Sequence, residues 1–172
     1  VTTKGFRDSI EMAQENRFEQ YDIFIEKPEP LVPRTLRFTV PERVDAKGGV
    51  RLALDESAVE ALAGTLAAKG VESVAVGFLH SYANPAHERR AGEILAKKLP
   101  GVRISLSCDV CPEVREYERF STTCANAYVQ PLMGRYLESL RRRIAQAGFA
   151  CPILLMTSGG GLTTIATAAR FP

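Results

Sequence analysis

The chain has 172 residues, of which 45% are hydrophobic and 24% are charged, and its net charge is +2; this composition is typical of a globular protein with one or two cores and excludes a disordered tail. The densest basic run, 141–143, lies at the end of a predicted helix, where cations oppose the helix dipole. No basic stripe with aromatic platforms accompanies this run, so we expect no nucleic-acid partner. No apolar stretch approaches the ~20 residues that cross a bilayer and 1–4 do not resemble a secretory signal, so we expect a cytoplasmic protein without membrane contact.

The first quarter of the chain predicts a helix, a linker and a hairpin. Phe6, Ile10 and Ala13 recur at helical spacing, which predicts a short helix over 6–16. Three prolines predict an extended linker over 27–33. Apolar residues alternate over 36–40 and again over 50–54 on either side of a Lys-Gly-Gly turn, which predicts that these two strands pair as a hairpin.

The next segment predicts alternating helices and strands. Asp55 and Gly70 predict the two ends of a helix over 56–69, and the apolar run 74–79 predicts a buried strand. Asn84 and Pro85 predict the start of a second helix, which leads to a strand over 102–106. This order predicts an α/β fold in which a mixed sheet has helices against its faces.

A long helix over 118–147, ended by Gly148, begins the last part of the chain. Pro131 must kink this helix or begin a second one. A strand over 152–156, a glycine-rich turn over 157–161 and a helix over 163–170 follow. The long helix is predicted to bury one apolar stripe, formed by Leu132, Met133, Tyr136, Leu137, Leu140 and Ile144.

We expect three parts along the chain, which looks like a piece of something larger. Residues 1–33 form a helix and a Pro-rich linker that belong to an upstream domain. Residues 34–115 form a mixed α/β subdomain. Residues 116–172 form a long connecting helix and the start of a second domain.

The glycine turn is the clearest local site signal. Ser158, Gly159, Gly160 and Gly161 stand between a predicted strand and a predicted helix. Glycine lets the backbone approach a ligand, and free N–H groups at a helix N-terminus attract phosphate or carboxylate. Either anion binding or a tight turn needed for packing explains the pattern.

Polar residues after one other strand and at the start of the long helix are further candidates. His80 and Ser81 follow the strand 74–79, at the end where open α/β sheets bind ligands, although a loop histidine often only bonds within its loop. Arg115 and Arg119 belong either to a surface salt-bridge cluster or to a cleft in which one of them binds an anion bidentately.

The N-terminal stretch repeats the strand–glycine–helix pattern. Thr3, Gly5, Arg7 and Asp8 lie there, and a helix N-cap together with an acid on the helix dipole accounts for much of the pattern structurally.

Four cysteines include one C-x-x-C pair, Cys108 and Cys111. No second pair or nearby histidine completes a zinc set, and Pro112 follows directly, which disfavours a redox helix. The pair is interpreted as incidental thiols, with a redox pair and a metal site as alternatives.

Several strings occur together and in order along the chain: TTKGFRD (2–8), YDIF (21–24), KP (27–28), LVPR (31–34), PERV (41–44), FLHSYANPAHE (78–88), REYER (115–119) and NAYV (126–129). Over nearly its whole length the sequence resembles the large subunit shared by hydantoinase A, 5-oxoprolinase and acetone carboxylase. One departure is the turn 158–161, where family members commonly carry Ser-Asn-Gly-Gly, so only a backbone role can carry over.

The resemblance implies an actin-like ATPase fold of the ribonuclease H kind. It implies ATP hydrolysis with Mg²⁺, coupled to opening a cyclic amide such as N-methylhydantoin or 5-oxoproline by phosphorylating the amide oxygen, or to carboxylating a ketone. It also implies an oligomer with a hydantoinase B-like subunit or domain. The isolated fragment is expected to be inactive, and a non-catalytic assembly module is the alternative. The sequence assigns no catalytic residue and no metal ligand.

Overall fold

The computed structural model describes residues 1–12, 21–26 and 29–172. Its helices and strands follow one another as β1 (Thr2–Thr3), α1 (Ser9–Met12), a 3-10 turn (Arg34–Leu36), β2 (Thr39–Val40), β3 (Arg43–Val44), β4 (Val50–Leu52), α2 (Glu56–Ala68), β5 (Ser73–Val76), α3 (Ala86–Lys98), β6 (Arg103–Leu106), α4 (Ser107–Val110), α5 (Glu116–Gln146), β7 (Leu154–Met156), β8 (Leu162–Thr164) and α6 (Ile165–Arg170).

Four short strands run in the same direction. β1 pairs with β2, and β5 pairs with β6 in a register from Ser73 opposite Arg103 to Val76 opposite Leu106. A parallel bridge between Thr2 and Gly77 joins the two pairs in the order β2, β1, β5, β6. Helix α3 supplies the crossover that a parallel β5–β6 pair needs. The carboxyl ends of all four strands therefore meet at one edge, which we call the carboxyl edge.

The hairpin differs from the prediction. Strand β3, not the stretch 36–40, pairs with β4, and β2 instead lies against β1. Pro41 has no N–H and so ends β2 as a pairing strand. The Asp45 carboxylate then accepts the N–H groups of Lys47 and Gly49, which closes the turn. The antiparallel pair is separate from the parallel strands, so the single mixed sheet of the prediction is wrong.

The main core lies between the parallel strands and helices α2 and α3. Helix α2 buries Val59, Leu62, Ala63 and Leu66, as predicted. Its two predicted ends are confirmed, because the Asp55 carboxylate accepts the Ala58 N–H at 2.9 Å and Gly70 has a φ of +64°. Strand β5 adds side chains to the same core and ends at residue 76, three residues earlier than predicted.

Helix α5 runs unbroken through Pro131, although its buried face is not the predicted one. Leu137 is buried, whereas Leu132 and Tyr136 are 63% and 57% exposed. The face against β5 and β6 passes instead through residues spaced by three and four, namely Phe120, Thr123, Ala127, Gln130, Gly134 and Leu137. Gly148, with a φ of +85°, follows the end of the helix, as expected.

The two ends of the chain also differ from the prediction. Strand β8 separates the glycine turn from α6, so the helix predicted from 163 begins only at residue 165. Helix α1 covers 9–12 of the predicted 6–16, and 13–16 and the linker positions 27–28 lie outside the described residues. Within the described residues, no helix is long and apolar enough to cross a membrane.

Candidate functional site

One buried hydrogen-bonded group lies at the carboxyl edge and consists of Thr3, Glu42 and His87; we call it the Glu42 cluster. The Thr3 hydroxyl lies at the end of β1 and donates to Glu42 Oε1. The same hydroxyl accepts the N–H of Leu79, beyond β5, at 3.0 Å. Glu42 Oε2 lies 2.9 Å from His87 Nδ1, in the first turn of α3. Side chains far apart in sequence thus converge where these strands end.

A second group, the Glu88 network, lies beside it and comprises Glu88, Ser107 and Arg119. Glu88 is completely buried. Its Oε1 accepts the Phe78 N–H at 2.7 Å and the Ser107 hydroxyl at 2.6 Å, and its Oε2 accepts the Cys108 N–H at 2.8 Å. Three donors thus satisfy this carboxylate in place of a direct ion pair, as a buried charge requires.

Arg119 completes the network from helix α5. Its guanidinium donates to the Phe78 carbonyl at 2.9 Å, to the Glu113 carbonyl at 2.8 Å and to the Ser107 hydroxyl at 3.2 Å. It also lies 5.4 Å from the centre of the Tyr82 ring. Burial lowers the pKa of Arg119, and the charge of Glu88 opposes this effect. Arg119 therefore belongs to the interior, not to the surface salt-bridge cluster that was one alternative.

The loop after β5 is held in an uncommon backbone conformation. His80 has a φ of +56°, which costs a non-glycine residue about 1–3 kcal/mol. Its Nδ1 lies 3.4 Å from the Tyr82 hydroxyl, and the Ser81 hydroxyl lies 3.1 Å from that of Ser107. The other non-glycine residue with positive φ among those described is Arg115, an exposed residue just before α5. The structure thus brings His80 and Ser81 close to Arg119, through Tyr82 and Ser107, and Arg115 lies one helical turn before Arg119.

The remaining N-terminal candidates form a separate ion-paired group. Asp8 accepts two hydrogen bonds from Arg34, at 3.2 and 3.1 Å, and lies 3.6 Å from Arg7 and 3.5 Å from Arg37. The hydrogen bond from Arg34 holds the pKa of Asp8 below its usual range. Gly5, with a φ of +94°, turns the chain from β1 toward this group. Asp8 is therefore already paired with protein cations.

The glycine turn has a different setting from the predicted one. Thr157 N–H donates to Gly161 at 2.8 Å and Gly160 N–H donates to Thr157 at 2.9 Å, so these groups close the β7–β8 hairpin. Helix α6 has its own cap, because the Thr164 hydroxyl accepts the Thr167 N–H at 3.2 Å. The strand–turn–helix expectation is wrong. The turn is exposed, and among the described residues no hydrogen bond joins it to the Glu42 cluster or the Glu88 network.

The cysteines of the described residues are free thiols. Burial and the nearby Glu88 charge raise the pKa of Cys108, and burial raises the pKa of Cys124. A protonated thiol is a poor nucleophile and a poor metal ligand, which favours the interpretation of Cys108 as incidental.

Glu42, His87, Glu88 and Ser107 were not among the residues predicted for a site. One signal was available, because Glu88 continues the apolar stripe of α3 at helical spacing from Ala91 and Leu95. A glutamate on a buried stripe is rarely left unpaired. Its partners were not predictable, because they come from two other segments, the stretch after β5 and the start of α4.

Comparison with known proteins identifies relatives over the whole chain. An uncharacterized protein of Methanocaldococcus jannaschii is 41% identical over 172 residues, 100% of this chain and 25% of that protein. The caprolactamase subunit alpha of Pseudomonas jessenii is 36% identical over 164 residues, 94% of this chain and 24% of that subunit. The 5-oxoprolinase of Saccharomyces cerevisiae is 30% identical over 189 residues, 94% of this chain and 14% of that enzyme. The chain thus spans a quarter or less of the length of these relatives.

Two solved structures have the same fold. The ATP-dependent caprolactamase from Pseudomonas jessenii matches with a TM-score of 0.87 and 35% identity, over 95% of this chain and 24% of that one. Acetone carboxylase matches with a TM-score of 0.81 and 26% identity, over 95% of this chain and 25% of that one. The profile of the hydantoinase/oxoprolinase N-terminal region matches residues 1–99, and that of hydantoinase/oxoprolinase matches residues 119–172. The chain therefore belongs to the hydantoinase/oxoprolinase family.

Proposed function

We propose that this chain is part of an ATP-dependent enzyme that opens a cyclic amide. One observation carries this proposal: the chain is 35% identical to an ATP-dependent caprolactamase with a TM-score of 0.87, against 26% and 0.81 for acetone carboxylase. A ketone carboxylase is the second candidate, and the match to acetone carboxylase supports it. The two activities differ in their substrate, a cyclic amide or a ketone. In this proposal ATP drives both reactions.

The proposed chemistry follows from the stability of amides. ATP phosphorylates the amide oxygen, and the resulting carbon is a better electrophile for water than the amide was. The free energy of ATP, carried by this phosphate ester, also drives a ring opening that is otherwise unfavourable. In this proposal the enzyme has an actin-like ATPase fold, works in the cytoplasm as an oligomer and associates with a hydantoinase B-like subunit or domain.

The carboxyl edge is the part of this chain that we assign to the site. Ligands of open α/β sheets bind outside the carboxyl ends of the strands. Strain concentrates there at His80, and Thr3 and Ser81 lie beside it. We retain Arg115 and Arg119 as residues that shape this edge, and the turn 158–161 as a backbone that a ligand can approach closely. Gly5, Arg7 and Asp8 stay candidates in the separate ion-paired group that follows β1.

The described residues do not fit a magnesium site by themselves. The described residues contain no group of three or more His, Cys, Asp or Glu side chains that could hold a metal ion. Asp8, Glu42 and Glu88 are each taken up by protein donors. In the proposal, Mg²⁺ and most phosphate contacts therefore come from other parts of the whole protein, and no step is assigned to the metal here.

The test uses the full-length enzyme with its partner subunit. ATP is supplied with a lactam, hydantoin or 5-oxoproline, or with a ketone and bicarbonate, and ADP and organic products are quantified. We expect ADP release to depend on a cyclic amide and to accompany a ring-opened product. ADP release that depends on ketone and bicarbonate would establish the carboxylase instead. The 172-residue chain alone serves as the control and should turn over neither substrate.

A further inference from the structure

The Glu42 cluster contains a histidine whose ring is oriented by a buried carboxylate. The chain has two histidines, and only His87 contacts a carboxylate within hydrogen-bonding distance among the described residues. The Glu42 side chain has no exposed surface, and His87 retains 12% of its side-chain surface. A carboxylate fixed in the interior thus holds a ring that still reaches the protein surface.

The hydrogen-bond directions in this cluster are fixed by one backbone group. Leu79 N–H must donate to the Thr3 oxygen at 3.0 Å. The Thr3 hydroxyl hydrogen is then free to donate to Glu42 Oε1. With Oε1 accepting from Thr3, Oε2 accepts from the ring, so the hydrogen on a neutral His87 lies on Nδ1. In the neutral ring, the lone pair is therefore on Nε2.

That second nitrogen is available to a ligand. Nε2 of His87 makes no hydrogen bond within the described residues, and it is not among their buried polar atoms without a partner. A hydroxyl-anchored carboxylate, an oriented imidazole and an open Nε2 form the arrangement by which histidine acts as a general base.

Three titratable groups beside this cluster, Glu88, Cys108 and Arg119, are less suited to take a proton. Both oxygens of Glu88 accept hydrogen bonds from protein donors. The Cys108 thiol is kept protonated by burial. Arg119 cannot act as a base, because a guanidinium stays charged in proteins.

We propose that His87, oriented by Glu42 and Thr3, is a proton-transfer residue of the ring-opening reaction, acting on the water that attacks the activated amide. This inference depends on the proposed function. As the water oxygen bonds to the carbon bearing the phosphorylated oxygen, Nε2 takes one water proton. The carbon then carries a hydroxyl. When the bond from that carbon to the ring nitrogen breaks, Nε2 returns its proton to the departing nitrogen, and the hydroxyl becomes a carbonyl by releasing its proton to solvent. An acyl phosphate and a free amine result, and a second water converts the acyl phosphate into carboxylate and phosphate.

The first experiment measures the tautomer and needs no activity. The 172-residue chain is labelled with ¹⁵N-histidine, and the His80→Gln variant assigns the His87 signals. In the neutral ring we expect a protonated Nδ1 and an unprotonated Nε2. In Glu42→Gln, whose amide can donate to Nδ1, the hydrogen should move to Nε2. A neutral His87 with its hydrogen on Nε2 in the wild-type chain would overturn the proposal, as would an unchanged tautomer in Glu42→Gln.

The second experiment measures turnover in the full-length enzyme. His87→Ala should lower kcat about 100-fold or more, the usual worth of a general base, with KM little changed. Added imidazole should restore a saturable part of the rate, which a purely structural role would not allow. Arg89→Ala, on an exposed neighbour in α3, is the control and should keep the wild-type rate.

The two experiments separate the two proposals. If the wild-type enzyme opens no cyclic amide, the proposed function fails, whereas the tautomer still reports on the oriented ring. If the wild-type enzyme is active and His87→Ala keeps its kcat, or loses it without rescue by imidazole, the proton-transfer role is excluded and the proposed function stands.

Discussion

Replacing Arg119 by methionine tests whether the Glu88 network stabilises the junction between the parallel strands and helix α5. The substitution keeps a long apolar stem and removes the guanidinium. Three acceptors lose their donor: the carbonyls of Phe78 and Glu113 and the hydroxyl of Ser107. Glu88 also remains in the interior without the positive charge that lies beyond the Ser107 hydroxyl.

The magnitude follows from these contacts. Hydrogen bonds to charged groups contribute about 1.5–3 kcal/mol each, but their sum overestimates the loss because water and relaxation compensate part of it. Arg119 makes no direct ion pair with Glu88, but its removal leaves three acceptors unpaired, a loss that we expect to be comparable with the about 3–5 kcal/mol for removing one partner of a buried ion pair. In a domain of this size, each kcal/mol lowers Tm by about 2–4 °C.

Urea unfolding of the 172-residue chain, followed by circular dichroism, measures the change in the free energy of unfolding. The slope with denaturant should stay constant, so that the midpoint reports stability alone. Arg89→Ala is the matched control and should lie within about 0.5 kcal/mol of wild type, because Arg89 is exposed. A loss below about 1 kcal/mol for Arg119→Met would refute the assignment of Arg119 as a buried network member.

Three further predictions concern the core, the acidic group and the glycine turn. Leu62→Ala should lower the free energy of unfolding by about 2–5 kcal/mol in the same urea assay, because Leu62 packs in the main core. The pKa of Asp8 is lower in the folded state than in the unfolded state, so its stabilising contribution is complete above about pH 4 and is lost as the pH falls through the folded pKa. The difference in unfolding free energy between wild type and Asp8→Asn should therefore shrink on acidification. A difference that stays constant with pH would contradict the ion pairing. Gly160→Val forces a β-branched residue to a φ of +84°, and if the turn contacts a ligand, the activity of the full-length enzyme should fall about tenfold or more. Gly159→Ala is the control and should keep the wild-type activity, because position 159 has space for a Cβ and no positive φ. Full activity of a folded Gly160→Val enzyme would leave the turn only a packing role.

The elements that sequence predicted well are those whose signals are local. Asp55 and Gly70 mark the ends of α2 because a cap and a left-handed residue act on adjacent N–H and C=O groups. The buried face of α2 follows from its own spacing. These predictions needed no knowledge of what lies opposite the helix.

The predictions that were wrong depend on distant partners. The stretch 36–40 alternates like a hairpin strand, yet its partner is β1, more than thirty residues earlier. On α5, Leu132 and Tyr136 have the spacing of a buried stripe, yet a different face lies against β5 and β6. Apolar periodicity identifies a face but not the neighbour that covers it.

The site was predictable to the same limited degree. His80 and Ser81 followed from the rule that polar residues after a strand lie at the carboxyl edge. Glu42 and Ser107 carry no local sign of function, because each acquires its role from a hydrogen-bond partner elsewhere in the chain. The motif strings contain Glu42, His87 and Glu88, but the strings alone do not show that these side chains meet.

The contacts of Arg119 connect the two parts of the chain that match separate family profiles, 1–99 and 119–172. Arg119 binds the Phe78 carbonyl while Glu88 binds the Phe78 N–H, so one peptide segment is held from both parts. Gly77 permits this approach, since a Cβ there would lie 2.5 Å from the Phe120 ring. Separating the start of α5 from this segment would break the hydrogen bonds of Arg119 to the Phe78 carbonyl and to the Ser107 hydroxyl. The start of α5 is therefore joined to the carboxyl edge by buried hydrogen bonds of Arg119.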